Sequence, residues 1–117
     1  MRSMRAYELM IIFDADVEDT GVQDALTRLG QQVEAGGGSI AKTDLWGRRR
    51  FAYEINHKFE GIYVVLEIVT EARDLEDAER ALRLADDVVR HKLMRLPDKE
   101  AARRGLFGEV PAPADAG

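Results

Sequence analysis

The 117-residue chain contains no cysteine, so disulfides, thiolate metal sites and thiol nucleophiles are excluded together. Histidine is nearly as scarce. His57 and His91, without spaced carboxylates around them, do not compose a metal site, and solvated or hydrogen-bonded imidazoles are the plainer reading. Long apolar runs are missing too: Leu9 to Phe13 and Ile62 to Leu66 are strand-sized, far short of the ~20 residues that cross a bilayer. Glu8 and Asp14 bracket the only apolar run near the N-terminus, and no small-residue cleavage site follows it. A cytoplasmic chain with no membrane span is therefore expected. No set of nucleophile, base and orienting group stands out, so neither catalysis nor a cofactor is expected.

What is present is enough for one core: 45% of the residues are hydrophobic, and a single domain is the natural reading. The net charge of -5 is unevenly spread, which matters more than its sum. Asp14 to Ala41 carries six acids against Arg28 alone, and Glu67 to Asp87 carries eight acids against Arg73, Arg80 and Arg83. Lys42 to Lys58 reverses the sign with five bases against Asp44 and Glu54, as does Val88 to Arg104 with six against Asp98 and Glu100. The acidic stretches coincide with helical spacing and the basic ones with strands. Acidic pairs such as Glu76-Asp77 and Asp86-Asp87 then read as a solvated helix face.

Tyr7, Leu9, Ile11 and Phe13 recur at period two, which predicts a first strand. Carboxylates from Asp14 to Asp19 suit a helix N-terminus, and Val22, Ala25, Leu26, Leu29 and Val33 follow at helical spacing. Gly36-Gly37-Gly38 stops that helix; it follows a helix rather than preceding one, which argues against a phosphate-binding loop. Ser39 to Ile55 reads as a long strand, bulged near Gly47 where the alternation changes phase. After a turn at His57 to Gly61, Ile62 to Val69 is apolar on both faces and belongs in the sheet centre. Asp74 and Asp77 resemble a helix-capping arrangement ahead of Leu75, Ala78, Leu82, Ala85 and Val89. A last strand from about Arg90 to Leu96 ends at Pro97. The order strand, helix, strand, strand, helix, strand is the ferredoxin-like split βαβ sandwich, an α+β class. Right-handed crossovers place both helices on one face of a four-stranded antiparallel sheet, with the first and third strands central. The other face is expected to be bare, presenting Met10, Ile12, Tyr63 and Val65 as contacts for a protein partner.

Trp46-Gly47-Arg48-Arg49-Arg50-Phe51-Ala52-Tyr53 is the most informative segment. Three successive arginines on a strand project to both faces, which leaves guanidinium groups for phosphate beside aromatic rings for bases. The competing reading is an edge strand protected by charge. Composition leaves the two level. Arg90, His91, Lys92 and Arg95 form a second basic group on the opposite edge, expected to bracket the helix-bearing side with the triplet. Gly61 to Leu66 lacks the preceding base and the paired aromatics of the aromatic RNA-recognition motif.

Taken together, these motifs resemble the bacterial small-subunit ribosomal protein S six family. Met4-Arg5-Ala6-Tyr7-Glu8 is similar to its usual opening, Gly37-Gly38 to the pair before its second strand, Trp46 to Tyr53 to its Trp-Gly-x-Arg-x-x-Ala-Tyr segment, and Gly61-Ile62-Tyr63 to the start of its third strand. Val89-Arg90 fits the start of the last strand. The resemblance runs from Met4 to about Leu96. It implies a non-catalytic component of the small ribosomal subunit that binds 16S ribosomal RNA together with ribosomal protein S eighteen. The RNA contacts it implies are Arg5, Arg48, Arg49, Arg50, Arg90 and Arg95. The chain then divides into an N-terminal extension (Met1 to Ser3), a folded domain (Met4 to Pro97) and a flexible C-terminal tail (Asp98 to Gly117), and is expected to be a monomer when isolated. The alternative is a ferredoxin-like regulatory domain that binds a ligand and dimerises through the bare sheet face.

Overall fold

A computed structural model describes residues 4–71 and 75–107. The elements are β1 (Arg5–Asp14), α1 (Asp19–Ala35), β2 (Gly38–Ile55), β3 (Lys58–Thr70), α2 (Glu76–Leu84), β4 (Val88–Leu96) and α3 (Asp98–Arg103). The first six follow the expected ferredoxin-like order. The strands form one antiparallel sheet in the order β2-β3-β1-β4, so β1 and β3 are central. No described helix is long and apolar enough to cross a membrane.

Alternation along the two central strands sends Tyr7, Leu9, Ile11 and Phe13 of β1 and Val64, Leu66 and Ile68 of β3 to the same side. Val22, Leu29 and Val33 of α1 and Ala78 and Leu82 of α2 close over them. Each large side chain fully buried in this layer contributes about 1.5–3 kcal/mol of transfer free energy. The carboxylates before α1 do not cap it by hydrogen bonding. Glu18 occupies the cap position without a side-chain bond, while the Asp14 carboxylate accepts the backbone N–H of Asp16 instead.

Several expected boundaries move. β3 begins at Lys58, because Asn56 and His57 alone make the turn, both at positive φ (50° and 64°) with Ile55 paired to Lys58; positive φ at both central residues matches the twist of a two-residue hairpin. α2 ends at Leu84, so Ala85 and Val89 do not belong to its apolar stripe, and Val89 lies in β4. The cap expected at Asp74 falls outside the described residues, as do Met1 to Ser3 and residues 108–117.

The largest correction concerns the segment after Pro97, expected to be a flexible tail. It folds back as α3 across the face opposite α1 and α2. Ala101 is fully buried with Ala6 and Leu96, and Leu106 and Phe107 pack against them. Arg104 then reaches the sheet: its Nη1 donates to Glu67 at 2.8 Å and to Glu8 at 3.2 Å, and its Nε donates to Glu100 at 2.7 Å. Glu8 and Glu67 are direct cross-strand neighbours, an arrangement of like charges that weakens a sheet unless a cation lies between them. The three carboxylates raise the Arg104 pKa further, Glu100 contributing most.

The open face is therefore only half open. Across the four strands, Ala6 and Leu96 of the row Ser39, Val69, Ala6, Leu96 lie beneath the α3 segment, and the row Lys42, Glu67, Glu8, Met94 holds the Arg104 contacts. The next two rows, Asp44, Val65, Met10, Lys92 and Gly47, Tyr63, Ile12, Arg90, remain clear of it. Replacing Arg104 with alanine should cost about 1 kcal/mol of stability in denaturant unfolding. Adding Glu67→Gln should recover part of that loss, because one of the two facing charges is gone; equal stability of wild type and Arg104→Ala would refute the neutralising role.

Candidate nucleic-acid interface

The long β2–β3 hairpin extends past the end of β1, whose last partner is Gly61. Two devices hold it. Both act at its tip: Lys58 Nζ meets the Asp14 carboxylate at 2.7 Å, and Asn56 Nδ2 donates to the carbonyl of Val89 on the far edge strand at 3.5 Å. Gly61 permits the close approach beneath it: a Cβ there would stand 2.6 Å from Ile12 Cγ2 and 3.1 Å from the Phe51 ring. The hairpin and the sheet border an open cavity of roughly 580 Å³. Met10, Ile12 and Tyr63 line it from the sheet, Phe51 and Tyr53 from the hairpin, and Arg90 and Lys92 from the edge strand.

The bulge expected near Gly47 decides which arginine faces where. Leu45 pairs with Val64 and Gly47 with Tyr63, so Trp46 is an extra residue, and Gly47 takes φ +86°, which costs a side-chain-bearing residue free energy. Without the extra residue, Arg48 would oppose Gly61. With it, Arg49 opposes Gly61 while Arg48 opposes Ile62 and Arg50 opposes Glu60. Arg49 therefore shares the open face with Trp46 and Tyr63, and Arg48 and Arg50 take the helix-side parity.

The Arg48 and Arg49 guanidinium groups have different surroundings as a result. Arg48 lies 3.7 Å from Glu60. Arg49 lies over the Trp46 ring, 4.8 Å from its centroid, and among the described residues it makes no ion pair. Trp46 is itself stacked on Tyr63, with centroids 6.3 Å apart and planes within 6°, and Phe51 is tilted against the other partner of that stack at 6.3 Å. The cation is thus held on an aromatic ladder rather than by a carboxylate, an attraction worth about 0.5–1 kcal/mol at an exposed site.

The remaining expected residues separate into two ends. Arg90 opposes Ile12 on the open face, at the hairpin end. Arg95 opposes Tyr7 on the helix side at the other end, beside Arg5 at the start of β1. The six arginines are not one patch, and the expectation that both basic groups flank the helix-bearing side is corrected: Arg49 and Arg90 flank the uncovered half of the sheet. The four apolar candidates, Met10, Ile12, Tyr63 and Val65, do share that half, with Ile12 6% exposed and the other three half-buried. Residue-by-residue reading missed three features: the Arg49–Trp46–Tyr63 ladder, the Asn56 tie, and Lys92 beside Met10. The phase change at Gly47 was the one signal that could have found the ladder. His91 points to the helix side, where its Nε2 meets Glu79 at 3.0 Å, and among the described residues no cluster of three or more potential metal ligands occurs.

Fold and surface define a class first: a small ferredoxin-like α+β domain whose sheet has one face packed against α1 and α2 and the other partly covered by α3. Comparison with known proteins supplies the family. The model of the family described as Ribosomal protein S6 matches residues 6–95, and this chain belongs to that family. It is 44% identical over 95 residues to the small ribosomal subunit protein bS6 of Acidothermus cellulolyticus, covering 81% of this chain and 98% of that protein. The crystal structure of 30S ribosomal protein S6 from Thermotoga maritima superposes with a TM-score of 0.78 at 28% identity, covering 90% of this chain and 99% of that one. A chemotaxis kinase CheA P2 domain, 15% identical with a TM-score of 0.53, covers 80% of this chain and all of that one, and shares the fold alone.

Two carboxyl groups in these contacts titrate abnormally. Lys58, and secondarily the Asp16 backbone N–H, hold Asp14 below its ordinary 3.8, while Arg103 and then Arg104 hold Glu100 below its ordinary 4.5. For both, the unfolded chain takes up the proton first on acidification, so their stabilisation is complete above the ordinary values and is lost as pH falls through the lower folded ones. Thermal melts between about pH 6 and pH 2 should show this loss. The Asp14→Asn, Glu100→Gln double variant should lose less stability over the same range, and an equally steep loss would exclude both groups as its source.

Proposed function

We propose that this chain is a non-catalytic structural component of the bacterial small ribosomal subunit, acting in the cytoplasm, that holds 16S ribosomal RNA together with ribosomal protein S eighteen. Family membership supports the ribosomal part of the reading. The observation that carries the RNA part is the uncovered half-face, where Arg49, Arg90 and Lys92 are exposed and Asp44, in the same row as Lys92, lies 3.8 Å from Lys42. A protein with net charge -5 approaches a polyanion only if its acids are turned away or neutralised. Here six of the 22 acids lie on α1 and α2, behind the sheet, and Arg104 pairs with the two glutamates that face forward.

In this reading Arg5, Arg48, Arg49, Arg50, Arg90 and Arg95 are RNA contacts, with Arg48 partly engaged by Glu60. The apolar floor of Met10, Ile12 and Val65, with Tyr63 at its border, takes the protein partner. A basic partner compensates the acidic remainder of the chain, which makes cooperation physically sensible. The isolated chain is a monomer and a weak RNA binder. Adding the partner should tighten binding and steepen its dependence on salt, because more phosphates are neutralised per complex. Tight, salt-insensitive binding by the chain alone would contradict this. Replacing Arg48, Arg49 and Arg50 together by alanine should weaken RNA association while changing stability by only about 1 kcal/mol or less; a large loss of stability with association intact would make the triplet structural. A homodimer that never co-sediments with small subunits would favour the ligand-binding regulatory alternative instead.

A further inference from the structure

Resting on the RNA reading above, we propose that the Arg49–Trp46 pair is a stacking site for one unpaired RNA nucleotide, so that the triplet reads strand conformation as well as charge. The three arginines are equivalent in composition but not in geometry. Arg48 and Arg50 take helix-side parity, and Arg48 lies near Glu60. Among the three, Arg49 lies over an aromatic ring, 4.8 Å from the Trp46 centroid, and it is exposed to solvent.

A guanidinium fixed on indole presents two things at once. Its outer face stacks on a base, and its N–H edge donates to phosphate. A base in a duplex is already stacked above and below and offers neither face, whereas an unpaired base offers both. The ladder continues behind it through Tyr63 to Phe51, which holds the indole in place and reduces the side-chain entropy lost on binding. Neighbouring cations suit the flanking backbone: Arg90 and Lys92 stand on the same face across the sheet. The four apolar positions assigned to the protein partner lie inward of the pair, so both ligands fit side by side with Tyr63 at their border.

Lysine at position 49 keeps the charge and loses the planar stack, which separates stacking from simple attraction. The chain has one tryptophan, so Trp46 fluorescence reports on this site alone. The experiment titrates the full chain at low salt with an unstructured oligoribonucleotide of about ten nucleotides and with a fully paired RNA duplex of the same length. Binding is followed by Trp46 emission and by anisotropy of labelled RNA, and each variant's fold is checked by its melting curve.

For the wild type, the unpaired strand should bind more tightly than the duplex and quench Trp46. Arg49→Ala should weaken strand binding on the order of tenfold and abolish the quench. Arg49→Lys should lose most of the same affinity, and Arg48→Ala, which removes a charge without touching the stack, should weaken binding clearly less than Arg49→Ala, by about two- to threefold. Strand and duplex bound equally, Arg49→Lys indistinguishable from wild type, or Arg48→Ala as damaging as Arg49→Ala would each overturn the stacking site while leaving the RNA reading standing. A wild-type chain that binds neither RNA, even with its protein partner and 16S ribosomal RNA supplied, would overturn the RNA reading itself.

Discussion

Strands β1 and β3 are apolar on both sides, and a four-stranded sheet with helices on one side leaves the second side in water. That constraint organises the rest of the molecule. On the helix side it is met by the packing of α1 and α2 over Leu9, Ile11, Phe13, Val64, Leu66 and Ile68. On the other side it is met only in part. Ala6 and Leu96 are covered by Ala101, Leu106 and Phe107, and the facing pair Glu8 and Glu67 is neutralised by Arg104. Beyond that line no element among the described residues lies over Met10 and Val65, and the cavity that Met10 lines beside the hairpin stays open.

The division is also electrostatic. Covering the glutamate pair removes two forward-facing anions from the sheet, and what stays uncovered carries Arg49, Arg90 and Lys92. An acidic chain thereby presents one basic, partly aromatic surface without changing its total charge. The third helix does more than extend the fold: by occupying one half of the face it also defines where a partner can sit.

Much of this is legible in the sequence, for a physical reason. Period-two alternation in β1 and two-sided apolarity in β3 fix the centre of the sheet, and helical spacing from Val22 to Val33 fixes α1. Motifs such as Trp46 to Tyr53 carry enough order and spacing to point to a family. What stays hidden depends on tertiary register. A single extra residue at Trp46 exchanges Arg48 for Arg49 on the open face, and no composition reveals which way the phase falls. α3 is short and ends in charged residues, so Asp98 to Arg103 reads as tail until Ala101 is seen against Ala6. Ala85 and Val89 continue the period of α2 by coincidence, yet the helix stops and the same residues lead into β4. Arg90 and Arg95 look like one group in the chain and point to opposite sides of the sheet.

The central claim is that the sheet's second face has a half sealed by α3 and a half reserved for a partner. Hydroxyl-radical footprinting of side chains, on the free chain and on assembled small subunits, tests it most directly. In the free chain Leu106 and Phe107 should already be protected, and assembly should leave them unchanged while Met10, Trp46, Tyr53 and Tyr63 lose reactivity. Leu106 and Phe107 reactive in the free chain and protected only on assembly, or Met10 and Trp46 unchanged by it, would contradict the account.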